Sequence, residues 1–437
     1  MNTSEFDKYK VDHLFLLIGE NPLPNYVAAK LLLNDGGTAY LVHTADTVEQ
    51  AKRLQNILKS ESNGSKDVEL RSLNDYESDA YYIQTEIRGK LESIKSGKIG
   101  LNYTGGTKAM STHAYRTLFY EEVKDKTYKQ REGITFSYLD PRRLEMCIDK
   151  EDNERVRIKV TPEILQVDIK TVFELHGWKW GSEPIQEPEQ AKAAQAFADF
   201  HTKEDSLHKW KSWCYQVLRP VTKDKRDNWL EKQELEKVPP LSLETIKSDP
   251  QINNALMELG LTSEELSLQA LKEQGFKNIK QVCKWLDGEW LEHYVLYKIK
   301  EISEKFLIHD SATSFWMSSD NNPKQNKFQF DVAFMRGYQL FAISCTTDAT
   351  KTLCKSKLFE AYIRAQQLGG SEARVALVCC ANTKDIVALR TEITNVFSLE
   401  PDATSKDNKI AVFGREHLIN LSEEIAEWIT QVDRETK

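Results

Sequence analysis

The sequence predicts an α/β protein in three parts: a Rossmann-like unit over residues 1–160, a helical linker domain with an insertion over 161–274, and a second α/β unit over 275–437. Three observations carry that expectation. Short apolar runs alternate with amphipathic helical stretches from Leu14 to Leu139, the pattern of a parallel sheet with helices on its faces. The alternation then gives way to mixed helical, Pro-containing and charged sequence. From Gly275 onward strand-like runs return, first as a meander and then alternating with helices.

Leu14–Ile18 is a continuous apolar run, as a strand buried on both faces requires. Pro22, Pro24 and Asn25 lead into a helix over Tyr26–Leu33, with proline near its start. Ala39–His43 is the second strand. Thr47–Leu58 is a helix, with Thr47 and Gln50 spaced as a capping box. Val68–Leu73 is a third strand, Glu77–Ile94 a helix, Ile99–Tyr103 a strand and Lys108–Tyr120 a helix. Gly133–Leu139 closes the series and is followed by a hairpin through Leu144–Ile148 and Val156–Val160. In the middle part, Thr161-Pro162-Glu163 reads as a helix opening and Gly177 as the stop after Val172–His176. Gly181–Gln190 is polar, and Trp210, Trp213 and Trp229 are core or interface anchors. The last part opens with one long helix, Ile279–Ile302. Strands at Ser314–Ser318, Phe328–Phe334 and Gln339–Ser344 turn through Arg336-Gly337. A helix from Leu353 to Gln367, a strand Arg374–Cys379 and a helix Asp385–Phe397 complete the core.

Composition narrows the class. Of the 437 residues, 40% are hydrophobic and 29% charged, and no apolar run approaches the roughly 20 residues of a membrane span. The first residues lack the basic and apolar regions of an export signal, so a cytoplasmic location is expected. Seven cysteines without a C-x-x-C pair argue for reduced thiols, with Cys379-Cys380 as small buried side chains, and against a disulfide framework or structural zinc. A net charge of -8 speaks against a constitutive nucleic-acid coat but leaves room for a local basic groove. No G-x-G-x-x-G follows the first strand, which disfavours a dinucleotide-dependent oxidoreductase.

The chemistry concentrates at two places. Asn102-Tyr103 runs into Thr104-Gly105-Gly106-Thr107-Lys108, a strand-to-helix loop with two glycines, two hydroxyls and an ammonium. Glycines let a ligand approach the backbone, and a helix N-terminus favours phosphate. Ligands of such sheets bind beyond the carboxyl ends of the strands. The Asn21–Asn25 loop lies at another such end, with Asn25 a candidate for an adenine edge and Thr44 a further one. Met110 is a core residue or a base-packing one. In the last part, Asp331 stands between Phe330 and Val332, where a carboxylate is seldom buried without a partner. Glu292 lies on the preceding helix beside His293, with Glu289 as a solvated neighbour.

The first part resembles the CARF domain (CRISPR-associated Rossmann fold), on Asn21-Pro-Leu-Pro-Asn-Tyr26 after the first strand and Asn102–Met110 after the fourth. The last part resembles the restriction-endonuclease-like domain fused to CARF in ancillary nucleases of type III CRISPR immunity. Gly288-x-Trp-Leu-Glu292, Phe330-Asp331-Val and the helix Lys355–Gly370 carry that likeness. The resemblance implies a cytoplasmic homodimer that binds a cyclic oligoadenylate, in the first place cyclic tetra-adenylate, through Asn21, Pro24, Asn25, Thr44, Thr104, Gly105, Gly106, Thr107 and Lys108. It implies a nuclease acting on DNA or RNA with Mg²⁺ or Mn²⁺ held by Glu292 and Asp331. The family's Glu-x-Lys strand is here Ser344-Cys345-Thr346. Three readings follow: Lys351, Lys355, Asp348 or Glu360 reach in from the next turn and helix; Ser344 and Thr346 line a site with fewer charges; or the domain is a degenerate nuclease and the protein a sensor that recruits or regulates. The candidate catalytic set is Glu292, Asp331, Ser344, Thr346 and Lys355.

Overall fold

The computed structural model describes residues 4–61, 66–123, 127–149, 155–319, 322–397 and 409–436. The N-terminal sheet opens with β1 (Val11–Leu17), β2 (Leu33–His43), β3 (Asp67–Ser72) and β4 (Ile99–Asn102). A short hairpin, β5 (Tyr120–Val123) and β6 (Thr127–Gln130), follows, then β7 (Ile134–Asp140), β8 (Glu145–Asp149) and β9 (Arg155–Lys159). The sheet order is β3-β2-β1-β4-β7-β8-β9; the first five strands are parallel and the last two antiparallel. The chain winds outward from β1 in both directions, so the order reverses between β1 and β4. A crevice opens at that reversal, outside the strand ends.

The second sheet begins in the middle part. β10 (Trp178–Trp180) pairs with β13 (Asp310–Ser319), whereas β11 (Leu241–Ser242) and β12 (Glu265–Leu266) form a small ribbon among the linker helices. β14 (Asn322–Arg336), β15 (Gln339–Thr346), β16 (Arg374–Cys379) and β17 (Ile410–Phe413) complete the order β10-β13-β14-β15-β16-β17. β13, β14 and β15 are antiparallel neighbours; β15, β16 and β17 are parallel.

The expected α/β architecture is therefore present, with several local differences, four of which bear on the packing. Thr161-Pro162-Glu163 makes one turn and stops. Leu165, Val167 and Ile169 are buried while Gln166 and Asp168 are exposed, and this period of two is that of extended chain. The expected long helix is two helices, Ile279–Lys284 and Trp290–Phe306, joined by the wide turn Trp285–Glu289, where Gly288 leaves helical geometry. Thr47 turns to Thr44 rather than toward Gln50, its Oγ1 accepting from the Thr44 N–H at 3.0 Å. Finally, β17 and the helix Leu421–Glu435 extend the core beyond the expected last helix; Leu421, Ile425, Trp428, Ile429 and Val432 form its buried stripe. All seven cysteines are free, and Cys379 and Cys380 are buried as expected.

One apolar cluster runs through both sheets. It joins the helices Leu23–Leu32, Val48–Glu61 and Ile169–Leu175 to β13–β16 and the helix Lys351–Gly369. Polar contacts cross at the same place. Asn21 Oδ1 lies 3.1 Å from His176 Nε2, and the Ile169 N–H donates to Asp310 at 2.8 Å. A Cβ on Gly370 would meet both Asn21 Nδ2 (2.6 Å) and Glu372 Oε2 (2.8 Å), so these two groups crowd one glycine.

Glu372 is 2% exposed, and burial raises its pKa to about 7, against which Arg374 acts only in part. A carboxyl that ionises later in the folded chain than in the unfolded one loses stability as pH rises from about 4.5 to 7, by an amount on the order of 3 kcal/mol. Glu372→Gln is therefore expected to melt several degrees above the parent at pH 8 and level with it at pH 4.5. Melting curves across that range check this; an offset equal at both ends would remove the titration as its cause.

Candidate functional site

Two sites stand at the ends of strands, one in each sheet. In the first, the loops after β1 and β4 touch. A Cβ on Gly105 would lie 2.2 Å from the Leu17 carbonyl oxygen, a separation no side chain tolerates, so the loops close only because that residue is glycine. Gly106 takes φ +75, the left-handed region. Among the described residues, neither glycine amide is engaged in a hydrogen bond. Thr107 caps the helix Lys108–Phe119, its Oγ1 accepting from the Met110 N–H at 3.1 Å and donating to the Glu77 carbonyl at 3.2 Å. Gly106, Thr107 and Lys108 are exposed at the crevice.

Several expected ligand contacts are instead fastenings of this crevice. Asn25 is wholly buried; its amide donates to the Leu17 carbonyl at 2.9 Å rather than offering an edge to a base. The Thr104 hydroxyl accepts from the Leu139 N–H at 2.7 Å, tying the loop to β7. Thr44 is buried, its hydroxyl 3.1 Å from that of Thr47. Asn21 accepts from the Leu23 N–H (2.9 Å) at the start of the next helix and faces His176. Pro24 is half-buried and Met110 is in the core. What remains open is backbone, together with Thr107 and Lys108.

The second site forms where β14 leaves β15. Their pairing spans Arg336↔Gln339 to Val332↔Ile343, and β15 then continues along β16 to Thr346. In the next position Asp331 substitutes for the departing strand. Its Oδ2 accepts from the Cys345 N–H at 2.7 Å and from the Ser344 hydroxyl at 2.9 Å, and lies 3.6 Å from Lys357 Nζ. On the other side, Ser314 sits at φ +55 where the β13–β14 ladder skips one pair. Its hydroxyl donates to Glu292 Oε2 at 2.5 Å, and Thr313 donates to the Asp331 carbonyl at 2.6 Å.

Glu292 is 8% exposed, and it and its neighbour His293 are both buried. Burial first, then the negative charges of Asp331 and Glu289, drive its pKa well above the carboxylate range. Glu289 is no solvated bystander: burial raises it too, although Lys284 at 3.0 Å opposes the shift. Burial alone would lower Lys357, but Asp331 and Glu292 outweigh it and hold the ammonium charged. Glu292, Thr346 and Lys357 share a cleft of about 240 Å³ with Gly288, Thr347 and, from the middle part, Lys223 and Trp229.

The site thus joins Glu292, Asp331, Ser344 and Thr346, but not Lys355, which faces Glu392 at 3.3 Å. Two residues along a helix is about 200° of rotation, so Lys355 and Lys357 point to opposite sides. Lys351 also pairs with Glu392. The sequence carried a signal for Lys357: it falls in the apolar stripe Cys354, Leu358, Ala361, Ala365, Leu368, where a lysine must have an acidic partner. Thr313, Ser314 and Trp229 had no such signal. Among the described residues, no group of three or more His, Cys, Asp or Glu is arranged to hold a metal ion. No described helix is long and apolar enough to cross a membrane.

Comparison with known proteins matches both ends of the chain to domain families. The Card1 CARF domain family matches residues 14–142, which includes both crevice loops. The Card1-like endonuclease domain family matches residues 279–432, which includes Glu292, Asp331 and Lys357. Protein VC1899 from Vibrio cholerae shares the fold over 96% of this chain and 98% of its own, at 16% identity and a TM-score of 0.70. Can2 from Sulfobacillus thermosulfidooxidans, solved in complex with cyclic tetra-adenylate, does so over 96% and 97%, at 16% identity and a TM-score of 0.61. A comparison with curated protein sequences gave no match. The chain is therefore a Card1-type CARF domain fused, through a helical middle region, to a Card1-like endonuclease domain.

Proposed function

We propose that this protein is a cyclic-oligoadenylate-activated nuclease of type III CRISPR defence, with residues 1–160 as sensor, 161–274 as linker and 275–437 as nuclease. The observation that carries the reading is the Glu292–Asp331–Lys357 cluster at the point where β14 and β15 part. A buried glutamate beside a second carboxylate costs folding stability, whether it holds its charge or is driven to take up a proton, and a domain without catalysis gains nothing from it. Lys357 supplies from the helix the ammonium that Thr346 lacks on the strand. This favours a nuclease with a relocated lysine over a sensor that only recruits.

Mg²⁺ or Mn²⁺ suits this donor set: hard carboxylate oxygens, and a buried Glu292 whose negative neighbours favour a cation in the cleft. Glu292 and Asp331 are the residues that would hold it. Such an ion supplies an activated water and neutralises charge on a phosphodiester. The chain's own residues do the rest. Ser344 and the Cys345 N–H fix the Asp331 carboxylate, Ser314 fixes Glu292, and Lys357 offers a positive charge to a phosphate.

At the sensor, the glycine amides with Thr107 and Lys108 recognise ring phosphates, and cyclic tetra-adenylate is the activator that the complex with Can2 favours. A two-fold ring fits two copies of the chain, each giving one crevice. The test is incubation of the purified protein with plasmid DNA and with labelled RNA, with and without cyclic tetra-adenylate, in Mn²⁺. Cleavage only with the ring is expected. Ring binding without cleavage of either substrate would favour the recruiting sensor instead. Within the cleft, Lys357→Ala is expected to cut at about 1% of the parent rate, the scale of losing one charge stabiliser, and Lys355→Ala within a few-fold of it. Equal losses from both would refute the assignment of the lysine.

A further inference from the structure

The middle part, whose sequence showed no chemistry, lends the base of a built hairpin, Lys223 and Trp229, to the wall of the nuclease cleft. Lys223 and Trp229 form a backbone bridge, and the Leu230 N–H donates to the Thr222 carbonyl at 2.9 Å. Asp224 closes the turn, accepting from the N–H groups of Arg226 (2.8 Å) and Asn228 (2.9 Å), while Asp227 takes φ +64. The root is fastened to the nuclease domain. Asp287, next to Gly288, holds Arg219 at 2.7 Å and Lys223 at 3.2 Å. Trp229 lies beneath the Lys223 ammonium, 4.4 Å from it, and lines the same cleft as Glu292 and Lys357. Lys225 and Arg226 are exposed at the tip, and among the described residues neither has an ion-pair partner.

A held aromatic in the wall of the cleft, with two exposed cations at the tip of the same hairpin, matches what a nucleic-acid strand requires. Aromatic faces stack bases, and cations track the backbone. Stacking needs a base with a free face, which a paired duplex does not offer. Building on the nuclease reading above, we infer that the 223–229 hairpin clamps an unpaired nucleic-acid strand. Trp229 stacks a base beside the phosphate to be cut, and Lys225 and Arg226 grip phosphates outside. The linker is then a substrate-selecting part of the nuclease.

The test measures binding without cleavage. Full-length Asp331→Asn protein, with cyclic tetra-adenylate and EDTA, is titrated against a fluorescent 20-nucleotide DNA strand, the same sequence as RNA, and the DNA duplex, with anisotropy as the readout. Adding Trp229→Ala is expected to weaken binding of at least one strand by about 10- to 100-fold, and Trp229→Phe to recover most of it. Adding Lys225→Glu with Arg226→Glu is expected to lower the salt slope of strand binding by about 1 to 2. The duplex should bind more weakly and ignore Trp229. The DNA and RNA arms show which strand is gripped. Strand binding unchanged by Trp229→Ala, or a duplex that binds best, overturns the clamp while leaving the nuclease reading intact. No binding of any nucleic acid by the parent overturns both.

Discussion

Asp331→Asn is expected to reduce ring-dependent cleavage by at least about 100-fold while melting within a degree or two of the parent. The size follows from the role. Removing a carboxylate that would hold the charge-neutralising cation raises a barrier by several kcal/mol. The choice of asparagine follows from the geometry. Asp331 accepts from the Cys345 N–H and the Ser344 hydroxyl, and an amide oxygen can still accept from both. Alanine would strand the Cys345 N–H in a buried place and cost about 1–3 kcal/mol, which mixes folding with catalysis. What the amide cannot do is hold Lys357 by charge, or offer a carboxylate to a cation. Quantified plasmid and RNA cleavage beside melting curves separates the effects. Cutting within ten-fold of the parent would move the chemistry to another place.

Gly105→Ala is expected to abolish the rise in Tm that the proposed activator, cyclic tetra-adenylate, should give the parent. It should also destabilise the free chain by roughly 3 kcal/mol, the upper range for overpacking. The added methyl would stand 2.2 Å from the Leu17 carbonyl oxygen and 3.0 Å from Asn25 Oδ1. One is backbone of the central strand and the other is clamped to it, so neither can yield without parting β1 from β4. Gly89→Ala is the control. A Cβ there meets nothing within 4 Å on the exposed side of the helix Ala80–Ser93, and should be neutral or slightly stabilising. Titration calorimetry and melting with and without the ring check both variants. A Gly105→Ala protein that binds and melts like the parent would mean that the crevice is looser than its contacts imply.

Both sheets were legible in the sequence because their strands are short, apolar and bounded by turn residues. Leu14–Ile18 and Arg374–Cys379 need little else to be read. The break at Gly288 was not, since a lone glycine in a helical pattern reads as tolerated. Its role comes from Thr347, whose Oγ1 would stand 3.0 Å from an added Cβ. The stop after Thr161-Pro162-Glu163 had a local cause that was visible, the alternation from Leu165 to Ile169, but the stronger cap signal masked it. The terminal helix was not among the expected elements, although Leu421, Ile425, Trp428 and Val432 form a stripe of helical period. At the nuclease site the carboxylates were legible because each breaks an apolar pattern, and Lys357 breaks one too. Ser314 and the hairpin at Trp229 belong to contacts between segments far apart in the chain, which local periodicity does not encode.

The apolar mass that runs without a seam from Leu23–Leu32 to Lys351–Gly369 leaves this molecule no waist at which to bend. Heating should melt sensor and cutter together, in a single cooperative transition. In the two-copy assembly proposed above, any message from the ring would then travel as a tilt of one whole subunit against another rather than as flexing inside either. A stiff lever of this kind loses little of a small movement over its length.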